Sequence, residues 1–178
     1  MKLKCSYIVL KPELPAFMLL TVLLALALPG CGIYSFSGAS TTGLSSVSIQ
    51  YFQNRASLVQ PGLSQTITDE LIDKCKAQTN LAIVNGLGDA NFEGEIIDYN
   101  TRPHTVSADA SAAVNRFTIS VRVKFTNVAD PEKSFEQTFS RFEDYSSMSN
   151  LSDVETELSE KIVEMLVEDI FNAAFVNW

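Results

Sequence analysis

Few side chains in this sequence are placed to do chemistry, and the foremost is the thiol of Cys31. It follows Leu28-Pro29-Gly30, which closes an apolar run from Ala16 to Leu28. Lys2, Lys4 and Lys11 come before the run. A basic start, a short apolar core and a small residue at the cut read as a secretory signal over residues 1–30. As a helix the run reaches roughly 20 Å, against about 30 Å of hydrocarbon in a bilayer, so it is a poor membrane span. A cysteine directly after the small residue is the pattern at which a diacylglycerol is transferred to sulfur before the signal is removed. Cys31 is therefore the expected lipidation site, with an unmodified thiol behind an ordinary signal peptide as the alternative.

The remaining chemical candidates are weaker. His104, the only histidine, is expected in a surface loop with no cysteine or carboxylate at ligand spacing, so no metal site is expected. No nucleophile motif surrounds it, so no catalytic residues and no enzymatic activity are expected. Gly86-x-Gly88 leads from a strand into another strand and lacks the helix N-terminus of a phosphate loop. No cofactor is implied. Glu93 and Glu95 fall on one side of a strand, placed to share a proton or cation, or simply to be solvated. Arg116, Arg122 and Lys124 line one side of another strand and are the candidate anion or headgroup contacts. Against that stands cross-strand ion pairing, with a five-residue connection setting Lys124 opposite Glu136. The apolar end of the last helix, with Phe171, Phe175 and Trp178, is the candidate partner surface.

Composition bounds what these residues can belong to. The part after residue 30 has 148 residues, enough for one domain with one core. It carries 10 basic and 20 acidic side chains, a balance that argues against wrapping nucleic acid and for a self-repelling body held at a membrane by lipid. Cys75 is then the one thiol left, expected as a small buried hydrophobe.

The elements that must position the candidates are read from periodicity. Residues 31–45, rich in Gly, Ser and Thr, form a tether, and 46–178 a single domain. Alternation predicts a first strand over 46–52 and a short strand over 81–84. Leu63, Ile67, Leu71 and Cys75 recur every fourth residue and predict a helix over 63–78. A strand over 90–101 places Phe92 and Ile96 on one face and Ile97 and Tyr99 on the other, with Gly94 marking a bulge or close approach. Residues 102–113 read as a loop. Phe117, Ile119, Val121, Val123 and Phe125 alternate with polar residues in the clearest strand. Asp130-Pro131 reverses the chain into a strand over 133–144. There the parity of Phe142 requires a bulge after Phe139. Ser152 and Glu155 form a capping box for a helix running to Phe175. Two amphipathic helices on one face of a mostly antiparallel sheet of about four strands make an α+β two-layer sandwich.

Five segments, in order, resemble a known family. They are Cys31 to Gly38 (CGIYSFSG), Ile49 to Asn54 (IQYFQN), Phe92 to Tyr99 (FEGEIIDY), Asn115 to Val121 (NRFTISV), and Asp169 to Ala174 (DIFNAA) with Asn177-Trp178 at the end. The chain so resembles the LptE family of outer-membrane lipopolysaccharide-assembly lipoproteins. The resemblance implies a non-enzymatic protein at the inner leaflet of the outer membrane. It would plug the lumen of the large β-barrel LptD, assist barrel assembly and help deliver lipopolysaccharide to the surface. It also implies two helices against a mostly four-stranded sheet, and lipopolysaccharide engaged by basic side chains. The alternative reading is a lipid-anchored periplasmic domain that captures a small ligand with the Glu93/Glu95 face or the loop over 102–113.

Overall fold

The computed structural model describes residues 39–57, 60–104 and 113–176. Within them the chain runs β1 (Ser46–Ile49), β2 (Gln53–Asn54), α1 (Leu63–Gln78), β3 (Ala82–Ile83), β4 (Ala90–His104), β5 (Val114–Asn127), β6 (Phe135–Ser146) and α2 (Leu151–Phe175), with a single 3-10 turn at Pro131–Lys133. The strand order is β3-β1-β4-β5-β6, and β2 pairs separately with β4. β4, β5 and β6 form an antiparallel meander, whereas β1, β2 and β3 pair parallel to their neighbours. The class is α+β with two helices, but the sheet has six strands and is mixed, not four-stranded and antiparallel. The reason lies in α1, which connects β2 to β3 as a crossover; a parallel return needs such a connection.

The core fills the space between the helices and one sheet face. Phe117, Ile119, Val121, Val123 and Phe125 are fully buried along β5, and Leu63, Ile67, Leu71 and Cys75 are buried along α1. The rings of Phe92, Phe125 and Phe175 cluster with centroids 4.8 to 5.9 Å apart, and Phe171 lies 5.2 Å from Phe175. Such aromatic pairs add to the burial of their large apolar area. Ala39 and Leu44, within the expected tether, also pack against this core, and the Ser40 N–H donates to the Phe175 carbonyl at 2.6 Å.

Two strand irregularities differ from expectation. Gly94 marks a close approach: a Cβ there would enter the ring of buried Phe52. The bulge sits two residues further on, between Ile96 and Asp98. It turns Tyr99 onto the core face, where it meets Phe117 edge-on at 4.8 Å. Conversely β6 has no bulge. It stays in register with β5 from Phe135 opposite Phe125 to Ser146 opposite Val114, so Phe142 falls opposite Thr118 on the outer face. The guanidinium of Arg116 lies 3.6 Å over its ring, which lets an aromatic side chain sit outside the core.

The strands of the central hairpin are also longer than expected. β4 continues through Arg102 to His104, so His104 is a strand-end residue opposite Val114 rather than a loop residue. The last helix begins at Leu151 with Asn150 as N-cap and no side-chain cap, so the Ser152/Glu155 box does not form. Glu155 instead accepts the hydroxyl of Tyr99.

Candidate functional site

The face of the sheet turned away from the helices gathers most of the polar candidates. Because side chains alternate along a strand, the residues between the buried members of β5 must point outward. Arg116, Arg122 and Lys124 do so, and the antiparallel register sets acidic residues of β4 and β6 across from them. Arg116 donates from Nε and Nη2 to both oxygens of Asp144 at 2.8 and 2.9 Å. Arg122 donates to Glu95 at 2.7 Å, and Lys124 reaches Glu93 at 3.4 Å. Lys124 does stand opposite Glu136 in register, as the short connection requires, yet its ammonium goes to the other neighbour.

The electrostatics follow from these forks. The hydrogen bond from Arg116 holds the Asp144 carboxyl below the ordinary carboxylate range, and the same bond raises Arg116. Glu93 and Glu95 share a face, but each has its own cation, with Arg55 4.0 Å from Glu95 as a second. Gln50, Tyr51, Gln53 and these ion pairs line a dent of about 260 Å³. That is smaller than the roughly 300–1,000 Å³ in which small ligands are usually enclosed.

Other candidates separate from this face. Phe171 and Phe175 are 1% and 0% exposed and belong to the aromatic core, so these side chains present no surface to a partner. Burial pushes the Cys75 thiol up to about 12, as suits a packed hydrophobe. Cys31 and Trp178 lie outside the described residues, as does most of the loop expected over 102–113. Among the described residues no three His, Cys, Asp or Glu side chains are grouped to hold a metal, and no helix is long and apolar enough to cross a membrane.

Two pairs that join the last helix to its neighbours escaped the sequence reading. Arg141 of β6 donates from Nε and Nη2 to Asp169 of α2, both at 2.6 Å. This bond raises the Arg141 pKa. The signal was present: with no bulge in β6, Arg141 shares the parity of Phe139 and must face the helix. Nearby, Lys74 of α1 bonds Glu168 of α2 and holds that carboxyl below its ordinary range.

Comparison with known proteins settles the family. The model for LptE, described as lipopolysaccharide-assembly, matches residues 44–174. The chain belongs to the LptE family. No curated protein matches the sequence significantly. Similar solved structures include a minor lipoprotein from Acinetobacter baumannii, 11% identical, covering 72% of this chain and 91% of that one at a TM-score of 0.48. The hypothetical protein CT253 from Chlamydia trachomatis is 10% identical, with 75% and 99% covered and a TM-score of 0.49. Uncharacterized lipoprotein B from Nitrosomonas europaea is 16% identical, with 72% and 80% covered and a TM-score of 0.47. Membership of LptE places the chain in an outer-membrane lipoprotein family of lipopolysaccharide assembly, which is not a known enzyme family.

Proposed function

We propose that this domain partners and plugs a large LptD-type β-barrel, assists its assembly and helps pass lipopolysaccharide to the cell surface. The observation that carries the reading is the open face of the sheet. Its inner side faces the helices, while its outer side is a largely polar wall on which Arg116, Arg122 and Lys124 are each paired with a carboxylate of a neighbouring strand. A rigid body with such a wall suits a water-filled lumen, where scattered unpaired charge would repel and apolar surface would stick. Family membership supplies the pathway.

Two further parts belong to the same proposal. Cys31 carries the acyl chains that hold the protein at the outer membrane, facing the periplasm and the barrel lumen. Two or more chains anchor firmly where one does not, and the anchor raises the concentration of the domain beside its barrel. Arg116, Arg122 and Lys124 remain the proposed lipopolysaccharide contacts, each exchanging its present carboxylate for a lipid phosphate.

The test is purification of the tagged full-length protein from outer membranes. A large β-barrel protein is expected to co-purify, and its absence would overturn the reading. Acyl labelling checks the anchor separately: Cys31→Ala should abolish it and leave an uncleaved precursor, whereas undiminished labelling would refute Cys31 as the acceptor.

A further inference from the structure

The outward cations of β5 each have a carboxylate: Lys124 reaches Glu93, Arg122 bonds Glu95 and Arg116 takes both oxygens of Asp144. The row of Arg116 differs on its other side. There the antiparallel register sets Arg102 of β4 directly across from it. The Arg102 side chain is exposed and makes no ion pair or hydrogen bond among the described residues. Like charges directly opposite each other on neighbouring strands are destabilising. Both side chains leave the outer face, so core packing does not demand this pair. An unrelieved repulsion at one end of an otherwise neutralised wall calls for an anion.

Arg116 is already held in place for such a task. Asp144 engages its Nε and one hydrogen of Nη2, and the guanidinium carbon lies 3.6 Å from the centre of the Phe142 ring. A guanidinium has five N–H donors in a planar fork, so the rest of the fork stays uncommitted. Residues opposed in an antiparallel pair have α-carbons about 4.5–5.5 Å apart, which lets one tetrahedral anion touch both guanidinium groups. Phosphate fits this place. The forks take its oxygens in pairs, and its charge offsets both arginines. A carboxylate offers one charge and two coplanar oxygens, too few to serve two forks. His104, the next outward residue of β4, lies close enough to act on the Asp144 carboxyl.

Resting on the proposed lipopolysaccharide contact, we infer that Arg102 and Arg116 together form a phosphomonoester site, with Asp144 and Phe142 positioning Arg116. The contact is thereby narrowed to one end of the wall. Arg122 and Lys124, each engaged by its own carboxylate, take no part. Arg116 keeps Asp144 when the phosphate arrives, so no ion pair has to break. The chain carries a net charge of −8, so binding comes from this local pair against a field that repels anions. The phosphate arrives on a glycolipid headgroup or free; the shared chemistry is one phosphate between two guanidinium groups.

The experiment titrates the purified full-length protein, in neutral detergent micelles, with phosphorylated lipid A, with phosphatase-treated lipid A and with inorganic phosphate. The parent is expected to bind the phosphorylated lipid about tenfold tighter than the treated one. Arg102→Ala should erase that preference, and Arg122→Ala should retain it. The thermal midpoint of Arg102→Ala should equal or exceed the parent's, because a like-charge opposition is relieved, which separates lost binding from lost folding. An Arg102-dependent response to inorganic phosphate as well would support a site that takes free phosphate; a response to the lipid alone would support one that reads the headgroup. No preference in the parent, or one that Arg102→Ala keeps, overturns the site, and a barrel that still co-purifies would leave the partnership standing. If no barrel co-purifies while the Arg102-dependent preference persists, the partnership falls and the phosphate site stands.

Discussion

The two faces of this one sheet are built by opposite rules. On the helix side, stability comes from apolar area removed from water: five consecutive inward residues of β5 are fully buried, with α2 packed against the strand. On the open side the same strand sends out Arg116, Arg122 and Lys124, and each finds a carboxylate on a neighbouring strand. Burying a Phe, Leu or Ile contributes about 1.5–3 kcal/mol, whereas an exposed ion pair contributes about 0–1 kcal/mol. The difference teaches that one face specifies the fold and the other is left to specify contacts. Charges on the open face can be exchanged for those of a partner at little cost in stability, as the proposed plug role requires.

The sharpest way to break that contrast is at Phe171. Its position in an apolar helix end suggests a docking surface, but its ring meets Phe175 at a tilt inside the core. Phe171→Ala should therefore cost about 3–5 kcal/mol in denaturant unfolding of the domain. A cost below about 1 kcal/mol would mean that the ring does not belong to the buried face. On the open side the matching change is Arg122→Ala, which removes the nearer cation of Glu95 and leaves Arg55 at 4.0 Å. It should cost no more than about 1 kcal/mol, in keeping with an exposed pair. A loss as large as that at Phe171 would show that the polar wall also holds the fold together.

How far these faces were legible in the sequence depended on whether the signal was local. The helix over Leu63–Gln78 is written in four apolar residues at helical spacing, and β5 in five apolar residues at strand spacing. Both patterns need only neighbours along the chain. The parallel placement of β1, β2 and β3 was not legible, since strands of two to four residues carry no directional signal and their partners are distant. Parity failed where an assumption about aromatics replaced it. Reading Phe142 as a core residue demanded a bulge in β6, yet a cation covers its ring on the outer face. The true bulge beside Ile97 leaves only a faint trace, a change in the parity of apolar residues between Ile96 and Tyr99. The cross-strand partners of Arg122 and Lys124 required the register of β4 with β5, which a loop of unknown length conceals. The capping box over Ser152 and Glu155 failed because the helix begins one residue earlier, with Asn150 as N-cap and Ser152 already inside it, and Glu155 takes the hydroxyl of Tyr99.

Asp89 offers the finest test, because there a charge fastens the buried face. Its carboxylate accepts the N–H groups of Ser45 and Ser46 at 2.9 and 3.0 Å and the Ser46 hydroxyl at 3.0 Å, joining the start of β1 to the start of β4. Foremost the Ser45 N–H, then the Ser46 hydroxyl, hold this carboxyl below the ordinary range. In the unfolded chain an aspartate titrates near about 3.9. A group depressed in the folded state binds protons more readily when unfolded, so its contribution is whole above that value and disappears as pH falls through the lower folded value. Asp89→Asn keeps an acceptor oxygen but removes the charge. The variant should unfold at lower urea than the parent at pH 7, and the gap should close progressively below about pH 4. A gap of constant size down to pH 3 would assign the effect to lost hydrogen-bond geometry alone, and the charge would then have no part in holding β1 to the sheet.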